Sequence, residues 1–270
     1  MFQSRKVRLK LNQRQKELVT KNFGAKRFIW NWGLEQINKW WEENKDLDKS
    51  ERTKRPTAFD LGKELTKLKA TEEFSWLKEC DSMIIPYTFD ALNKAFQRFW
   101  KGLAKYPKFK SKKTSKQSYT TSTGLAPRMF DANHLILPKL GKVKFYNQGY
   151  IPNVKLKRAT ISFDGEHYYC SVLFNAPVED WGKAESTIGI DLGVKTSATC
   201  SDGQTFNWRP SKSTERRIKL SQRALARTQK TSKRRAKARL RLTRRYRRIA
   251  NQHKDFLHKM TTNIKISFIR

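Results

Sequence analysis

The spacing of apolar residues changes along the chain and divides it into segments of different predicted structure. Residues 5–11 (RKVRLKL) alternate charged and apolar side chains, which predicts a half-buried strand. Asn12 then suits a helix N-cap, and apolar residues recur every three or four positions through most of the stretch up to Ala104. A charged, irregular stretch at 45–56 predicts a loop between these helices.

The predicted helices carry aromatic side chains on one face. Two interpretations stay open: the rings pack as the core of a helix bundle, or some of them stack on nucleobases. The rows in question are Phe28, Trp32, Gln36 and Trp40 in one helix, and Phe89, Leu92, Phe96 and Phe99 in another.

After a basic linker at 106–119 (YPKFKSKKTSKQSY), the apolar period changes to two. The segments HLILPKLGKVKFY, VKLKRATISFDG and EHYYCSVLFNAPV each predict strands, and Asp164–Gly165 predicts a hairpin turn. Together with the first strand, they predict a small β-barrel of the oligonucleotide-binding kind, interrupted by the helical segment. Such barrels often bind oligonucleotides, although the shape alone does not establish that function.

The last third of the chain has a different pattern. TIGIDLGVKTSATC, at 187–200, predicts a strand that ends at Asp191, a turn and a second strand, and QTFNW predicts a third. Two long basic helices follow, separated at Thr231–Ser232. The whole chain is therefore predicted to be α+β.

Charge narrows the classes of partner. The net charge is +35, from 59 Lys and Arg against 24 Asp and Glu, so we expect the chain to bind a polyanion. Nucleic acid is favoured, because basic proteins rich in aromatic residues usually bind it, and a membrane surface is the competing polyanion. No apolar run is long enough to span a bilayer and the first residues lack the apolar segment of a secretion signal, so we expect a soluble intracellular protein. Three dispersed cysteines without a C-x-x-C pair exclude a disulfide framework and a zinc ribbon.

The basic helices are expected to contact phosphate, because between Ser211 and Met260 only Glu215 and Asp255 oppose their cations. Lys26 and Arg27, beside the aromatic FIWNW, are further candidates, and two rings of the basic linker could stack on bases. The predicted nucleic-acid-binding residues are Lys26, Arg27, Tyr106, Phe109, Arg234, Arg235, Arg241, Arg244, Arg245 and Arg248.

Asp191 is the candidate for metal chemistry. An aspartate at the end of a strand could ligate Mg²⁺, or it could hydrogen-bond a nearby turn, and the residues favour neither. A pair of hard cations that cleaves phosphodiesters needs several carboxylates. Asp202, in an S-D-G-Q turn, and the acidic residues of the basic helices are poor substitutes.

The stretch IGIDLGVKTSATCSDG resembles the first RuvC motif of the transposon-encoded TnpB (OrfB) proteins. FGAKRFIWNW, HLILPKLGKVKF and NQHKDFLHKMTT resemble other landmarks of that family in the same order. The resemblance implies an RNA-guided DNA endonuclease of the prokaryotic cytoplasm, near the nucleoid, with Mg²⁺ as cofactor. Its partners would be a guide RNA from the transposon end and target DNA.

The resemblance also implies a domain organisation. We expect the first barrel strand at 1–11, a helical recognition insertion at 12–117, the rest of the barrel (the wedge) at 118–180 and an incomplete RuvC/RNase H-like domain at 181–270.

Asp191 is the one catalytic and metal-binding residue that matches the family's motifs. The family's second acidic ligand and zinc ribbon would follow the FLHKMTT helix, whereas this sequence continues as NIKISFIR. We therefore expect a C-terminally truncated, cleavage-deficient member, through a frameshift, an early stop or an artificial end. The alternatives are a non-cutting nucleic-acid-binding regulator and a nonfunctional remnant of a transposase gene.

Overall fold

The computed structural model describes residues 1–48, 50–122, 127–146, 151–176 and 187–269. These residues form helices together with antiparallel sheets, which confirms the predicted α+β class. The chain divides into two compact units, Met1–Pro177 and Val178–Arg270. The predicted boundary between the wedge (118–180) and the RuvC-like domain (181–270) lies outside the described residues.

The first unit begins with a strand, continues through helices and ends in strands. A short 3-10 helix, Ser75–Glu79, precedes the third α-helix. In chain order the described elements are β1 (Phe2–Lys10), α1 (Gln13–Asn44), α2 (Ala58–Leu68), α3 (Ile84–Trp100), β2 (Gln117–Thr121), β3 (Arg128–Asp131), β4 (His134–Leu137), β5 (Gly141–Tyr146), β6 (Leu156–Phe163) and β7 (Tyr168–Asn175).

Helix α1 starts where the sequence predicts it to start. The Oδ1 atom of Asn12 accepts a hydrogen bond from the Gln15 backbone N–H at 2.8 Å, and the Gln15 side chain accepts one from the Asn12 N–H at 3.1 Å. This reciprocal pair satisfies two N–H groups that the helix leaves without partners. Gln15 also donates to the carbonyl of Lys142 at 2.9 Å, so the same residue ties the start of α1 to β5.

The seven strands of the first unit form one antiparallel sheet in the order β2-β6-β7-β1-β5-β4-β3. Its register aligns Tyr119, Ile161, Cys170 and Val7 in a row across four neighbouring strands. All four side chains are buried. The alternation in the sequence therefore becomes one buried face of the sheet, as the period of two requires.

The predicted closed β-barrel is wrong. β2 and β3 are the two edges of the sheet, and no pairing joins them among the described residues. Instead, α1 and α3 pack against β2, and one continuous apolar core includes residues of the helices and of the sheet. Alternating side chains predict strands and a buried face, but closure also depends on strand tilt and stagger, which the alternation does not encode.

The second unit combines a small sheet with two helices. Its strands are β8 (Ile190–Asp191), β9 (Ala198–Cys200) and β10 (Thr205–Phe206), paired antiparallel in the order β10-β9-β8. The two predicted basic helices are confirmed as α4 (Lys212–Ala226) and α5 (Lys233–Ile269), which pack against each other. Neither these helices nor any other in the described ranges is long and apolar enough to cross a membrane.

Candidate nucleic-acid interface

Helix α5 carries a row of exposed cations on one face. The spacing of its members alternates between three and four residues, which places them along one side of an α-helix. At a rise of about 1.5 Å per residue the row is about 21 Å long. We call it the α5 stripe, and its members, all exposed, are Arg234, Lys237, Arg241, Arg244 and Arg248.

Two of the six arginines predicted in this helix turn instead towards α4. The Nη1 atom of Arg235 donates to the carbonyl of Leu225 at 3.0 Å and to that of Thr228 at 2.9 Å. These carbonyls belong to the last turn of α4 and the residues after it, where a cation is stabilising. Arg245 donates to the carbonyl of Arg217, in the first half of α4. Arg235 and Arg245 therefore hold the two helices together.

The α5 stripe includes Lys237, which the sequence reasoning missed. The signal that could have found it is the stripe itself, because counting in steps of three and four from Arg234 reaches Lys237 before Arg241. The same count excludes Arg235, which lies about 100° around the helix from Arg234. It does not exclude Arg245, which is set apart by its contact with Arg217.

Asp191 ends β8 and its side chain is exposed. Its backbone lies opposite Thr199 of β9. The neighbouring Gly189 exchanges hydrogen bonds with Ser201, through its N–H to the Ser201 hydroxyl at 3.1 Å and through its carbonyl to the Ser201 N–H at 2.9 Å. The β8–β9 pair therefore presents the Asp191 carboxylate at the surface of the second unit.

The described residues around Asp191 do not by themselves fit a pair of Mg²⁺ ions. Within the described ranges, His, Cys, Asp and Glu side chains form no group of three or more that could hold a metal. Asp202 serves a turn: its Oδ1 accepts from the Gln204 N–H at 3.0 Å, and Gly203 between them has a φ of +86°. Two hard cations about 4 Å apart need several carboxylates as ligands. Asp191 supplies a single carboxylate, and the described residues bring no group of further ligands to it.

In the first unit, Lys26 belongs to a cluster of cations. Burial lowers the pKa of Lys26, and the charge of Lys116 lowers it further. Burial likewise lowers the pKa of Lys110 to about 8, with a second contribution from Lys26. The ammonium group of Lys110 lies 3.1 Å from the centre of the Trp30 ring. Mutual repulsion among these lysines favours a bound anion, and sequence reasoning found only Lys26 among them.

Arg27 and Tyr106 take part in contacts within the protein. The Arg27 guanidinium donates to the side-chain oxygen of Gln117 at 2.5 Å. The Tyr106 hydroxyl donates to Asn38 at 2.6 Å, and its ring packs edge-on against Phe96 and Phe99. These residues join α1, α3 and the basic linker.

Phe109 differs from Tyr106, because 58% of its surface is accessible. The neighbouring backbone is anchored to α1 on both sides, since Trp30 donates to the carbonyl of Lys108 at 3.0 Å and Asn31 bonds both backbone groups of Lys110. The linker therefore presents the Phe109 ring to solvent from a fixed backbone.

Lys26 also lines a polar groove of about 350 Å³ between α3 and the sheet. Hydroxyls from four strands line this groove in two pairs, Ser4 with Ser171 at 2.8 Å and Thr120 with Thr160 at 3.0 Å. In each pair one O–H group donates to the other, so one O–H remains to donate elsewhere. The lining also includes Arg158, Lys94 and Asp90, and the Asp90 carboxylate is paired with Lys94 at 2.7 Å. Lys26 and Arg158, together with the hydroxyl donors, suit an anionic ligand.

The fold and these surfaces define a strongly basic α+β protein with a row of exposed cations on α5 and a partly buried lysine cluster in the first unit. Residues 170–266 match a family model described as "Probable transposase" (OrfB of IS605), and residues 1–46 match the associated model described as "Helix-turn-helix domain". In the structure, residues 1–46 contain one strand and one long helix, β1 and α1.

Curated proteins from bacteria are similar along most of the chain. A protein of Escherichia coli K12 named "Putative RNA-guided DNA endonuclease InsQ" is 28% identical over 253 residues, which cover 93% of this chain and 60% of that protein. A Streptomyces pristinaespiralis protein named "Putative RNA-guided DNA endonuclease" is 27% identical over 91% of this chain and 60% of its own length. The chain thus spans about three-fifths of the relatives it matches. It belongs to the TnpB (OrfB) family of transposon-encoded proteins.

Proposed function

We propose that this chain binds a guide RNA from the transposon end and target DNA, as part of the RNA-guided DNA endonuclease activity for which its relatives are named. The observation that carries the proposal is the α5 stripe, whose five cations lie exposed along one helix face. The polar groove beside Lys26 is a second surface of suitable chemistry.

The stripe fits a phosphate backbone for electrostatic reasons. Self-repulsion along such a helix is costly unless counter-charges accompany it. Asp255 is the one acidic residue in the sequence from Lys233 to Ile269, and it pairs with Lys259 at 2.9 Å. A polynucleotide supplies counter-charges in a row, and its binding releases condensed cations into solution. Affinity would then fall steeply as salt rises.

Within this proposal, the second unit is the first part of a RuvC-like nuclease domain, and Asp191 supplies one metal ligand. The carboxylate is exposed at the end of a strand, which suits a ligand role. A two-metal site needs further carboxylates, so we propose that the 270-residue chain alone does not cleave DNA. A non-cutting regulator that only binds nucleic acid is the second candidate, and the same stripe supports it.

The salt dependence of RNA binding tests the stripe. Replacing Arg241 by Gln should reduce the slope of log affinity against log salt by about 0.7 to 0.9, the contribution of one phosphate contact. Arg239, two residues away, is exposed but lies on a different face of α5. Arg239→Gln removes the same charge and should change the slope much less. Equal slopes for the two variants would contradict the assignment of the stripe.

Cleavage is tested separately, with purified chain, guide RNA, matching DNA and Mg²⁺. We expect binding without cutting. Efficient cutting that Asp191→Ala abolishes would refute the proposed deficiency while leaving the family activity intact. Binding that is insensitive to salt would refute the electrostatic basis of the proposal as a whole.

A further inference from the structure

A guanidinium group lies against aromatic rings at the C-terminal end of α3. The Cζ atom of Arg55 is 4.8 Å from the centre of the Phe96 ring and 4.5 Å from that of Trp100. Tyr106 packs edge-on against Phe96, with ring centres 5.5 Å apart. We call these four residues, Arg55, Phe96, Trp100 and Tyr106, the Arg55 cluster.

The guanidinium of Arg55 is not satisfied by the protein residues that the structure describes. Its Nε atom is buried and has no hydrogen-bond partner among them. Burial lowers the pKa of Arg55 and the neighbouring Tyr106 opposes this, with no carboxylate contributing. Stacking on the two rings stabilises the cation, but the buried Nε–H group still lacks an acceptor among the described residues. A guanidinium held in this way is suited to the planar, forked recognition of a phosphate.

Trp100 adds an exposed aromatic surface to this cation. More than half of its surface, 56%, is accessible although Arg55 and Phe96 both lie against the ring. The chain neighbours Lys54 and Lys101 are exposed as well. An accessible indole with Arg55 against its ring, and with exposed lysines next to both residues in the chain, is complementary to a ligand that is both aromatic and anionic. A nucleotide combines these two properties, whereas a neutral apolar protein surface would leave the cations uncompensated.

We propose that the Arg55 cluster binds one unpaired nucleotide of an RNA strand, with the base stacked on Trp100 and the adjoining phosphate accepting hydrogen bonds from Arg55. This inference rests on the proposed binding of RNA and adds a contact in the first unit that is separate from the α5 stripe. The contact is tolerant of sequence, because every base offers a π-face.

Tryptophan fluorescence tests the stacking directly. The probe is a single-stranded oligoadenylate of about ten nucleotides, within the range of roughly 4 to 16 nucleotides that single-strand sites cover. Its matched control is an abasic strand with the same number of phosphates. Salt is raised until purely electrostatic binding is weak. We expect the oligoadenylate to quench fluorescence more than the abasic strand does, and Trp100→Leu to remove that difference and weaken binding roughly 5- to 100-fold.

Two further variants separate stacking from charge and from general damage. Arg55→Lys keeps the positive charge but loses the planar fork, and should also weaken binding of the oligoadenylate. Trp76→Leu makes the same substitution at another exposed tryptophan, whose ring contacts Phe28, and should leave the difference between the two strands intact. Circular dichroism should show that all three variants remain folded.

The inference is overturned if Trp100→Leu leaves both quenching and affinity unchanged, or if the abasic strand quenches equally. It is also overturned if Trp100→Leu instead abolishes a concentration-dependent self-association in sedimentation, since a second copy would then occupy the surface. In either case the proposed function survives as long as Arg241→Gln still lowers the salt slope. If Arg241→Gln does not change the slope of log affinity against log salt, while the oligoadenylate still quenches more than the abasic strand, the role of the α5 stripe is refuted instead.

Discussion

Gly33 of α1 lies directly against the ring of Phe89 in α3. A Cβ atom added at Gly33 would come within 2.5 Å of the Phe89 Cε1 atom, closer than any real contact. The absent side chain therefore sets how closely the two helices approach, and it places the start of α3 against the sheet and the polar groove.

Replacing Gly33 by Ala should destabilise the first unit by up to about 2 kcal/mol. Overpacking costs about 1–3 kcal/mol, and the better helix propensity of Ala, about 1 kcal/mol, offsets part of it. Gly62→Ala in α2 is the matched control, because nothing lies within 4 Å of its added Cβ, and it should stabilise. Urea unfolding followed by circular dichroism measures both changes, and a stabilising Gly33→Ala would contradict the packing.

Arg235 and Arg234 should have opposite roles although they are adjacent. Arg235→Gln removes hydrogen bonds to two carbonyls of the α4 terminus and should destabilise the hairpin of α4 and α5 by about 1–3 kcal/mol. Arg234→Gln should leave stability nearly unchanged and weaken RNA binding. Amide hydrogen exchange in the last turn of α4, measured beside the salt slope of binding, distinguishes the two effects. A loss of protection with Arg234→Gln and none with Arg235→Gln would show that their roles have been reversed.

The lysine cluster should make anion binding depend on pH near neutrality. The pKa of Lys110 is about 8 in the folded chain, below its ordinary value of 10.5, so the folded state favours the neutral amine. The unfolded chain binds more protons between these two values, and stability should therefore rise as pH increases from about 8 to about 10.5. Conversely, a bound phosphate favours the charged amine, so affinity for inorganic phosphate should rise as pH falls through about 8.

Titration calorimetry with phosphate at pH 7 and pH 9 checks the second expectation. Lys110→Met should remove most of the pH dependence, whereas Lys112→Met, in the same linker and exposed, should retain it. An affinity that does not change with pH would place the anion away from Lys110.

A buried carboxylate links the helices to the sheet and should also respond to mutation. Asp81 is buried and accepts hydrogen bonds from the Thr121 hydroxyl at 2.5 Å and from the Met83 N–H at 2.9 Å. Thr121→Val removes the first bond and should cost about 1–3 kcal/mol of stability. Thr120→Val, one residue away and part of a hydroxyl pair in the groove, should cost less. Thermal unfolding of the two variants makes the comparison, and equal losses would contradict a special role for Asp81.

The sign of the pH effect at Asp81 follows from its environment. Burial raises the pKa of this carboxyl, although the Thr121 and Met83 hydrogen bonds oppose the rise. The folded chain therefore favours the protonated form of Asp81. The stability that this protonated form contributes is fully present below pH 3.8, the ordinary pKa, and is lost as the pH rises through the raised pKa of the folded chain. In the Asp81→Asn variant, which has no carboxyl at this position, this loss of stability with rising pH should be absent.

Local patterns predicted the elements of the fold well, because alternation and helical spacing report which side of an element is buried. The strand before Asn12 and the helix that starts there follow from such patterns. Barrel closure was wrong, since strand stagger arises from pairing between distant segments. Likewise, counting along the sequence puts Arg235 on a different face from Arg234, but it could not show that Arg235 and Arg245 donate to carbonyls of α4. It also could not show that Lys110 is half-buried beside Lys26.

The regular spacing of cations along α5 limits the length of duplex that this helix can contact. A row about 21 Å long matches about six base pairs of a duplex, at 3.4 Å per pair, so a straight helix could follow one strand only for about half a turn before the phosphates curve away. The footprint of this helix should therefore be short, and protection from hydroxyl radicals should cover a single narrow window of the bound duplex.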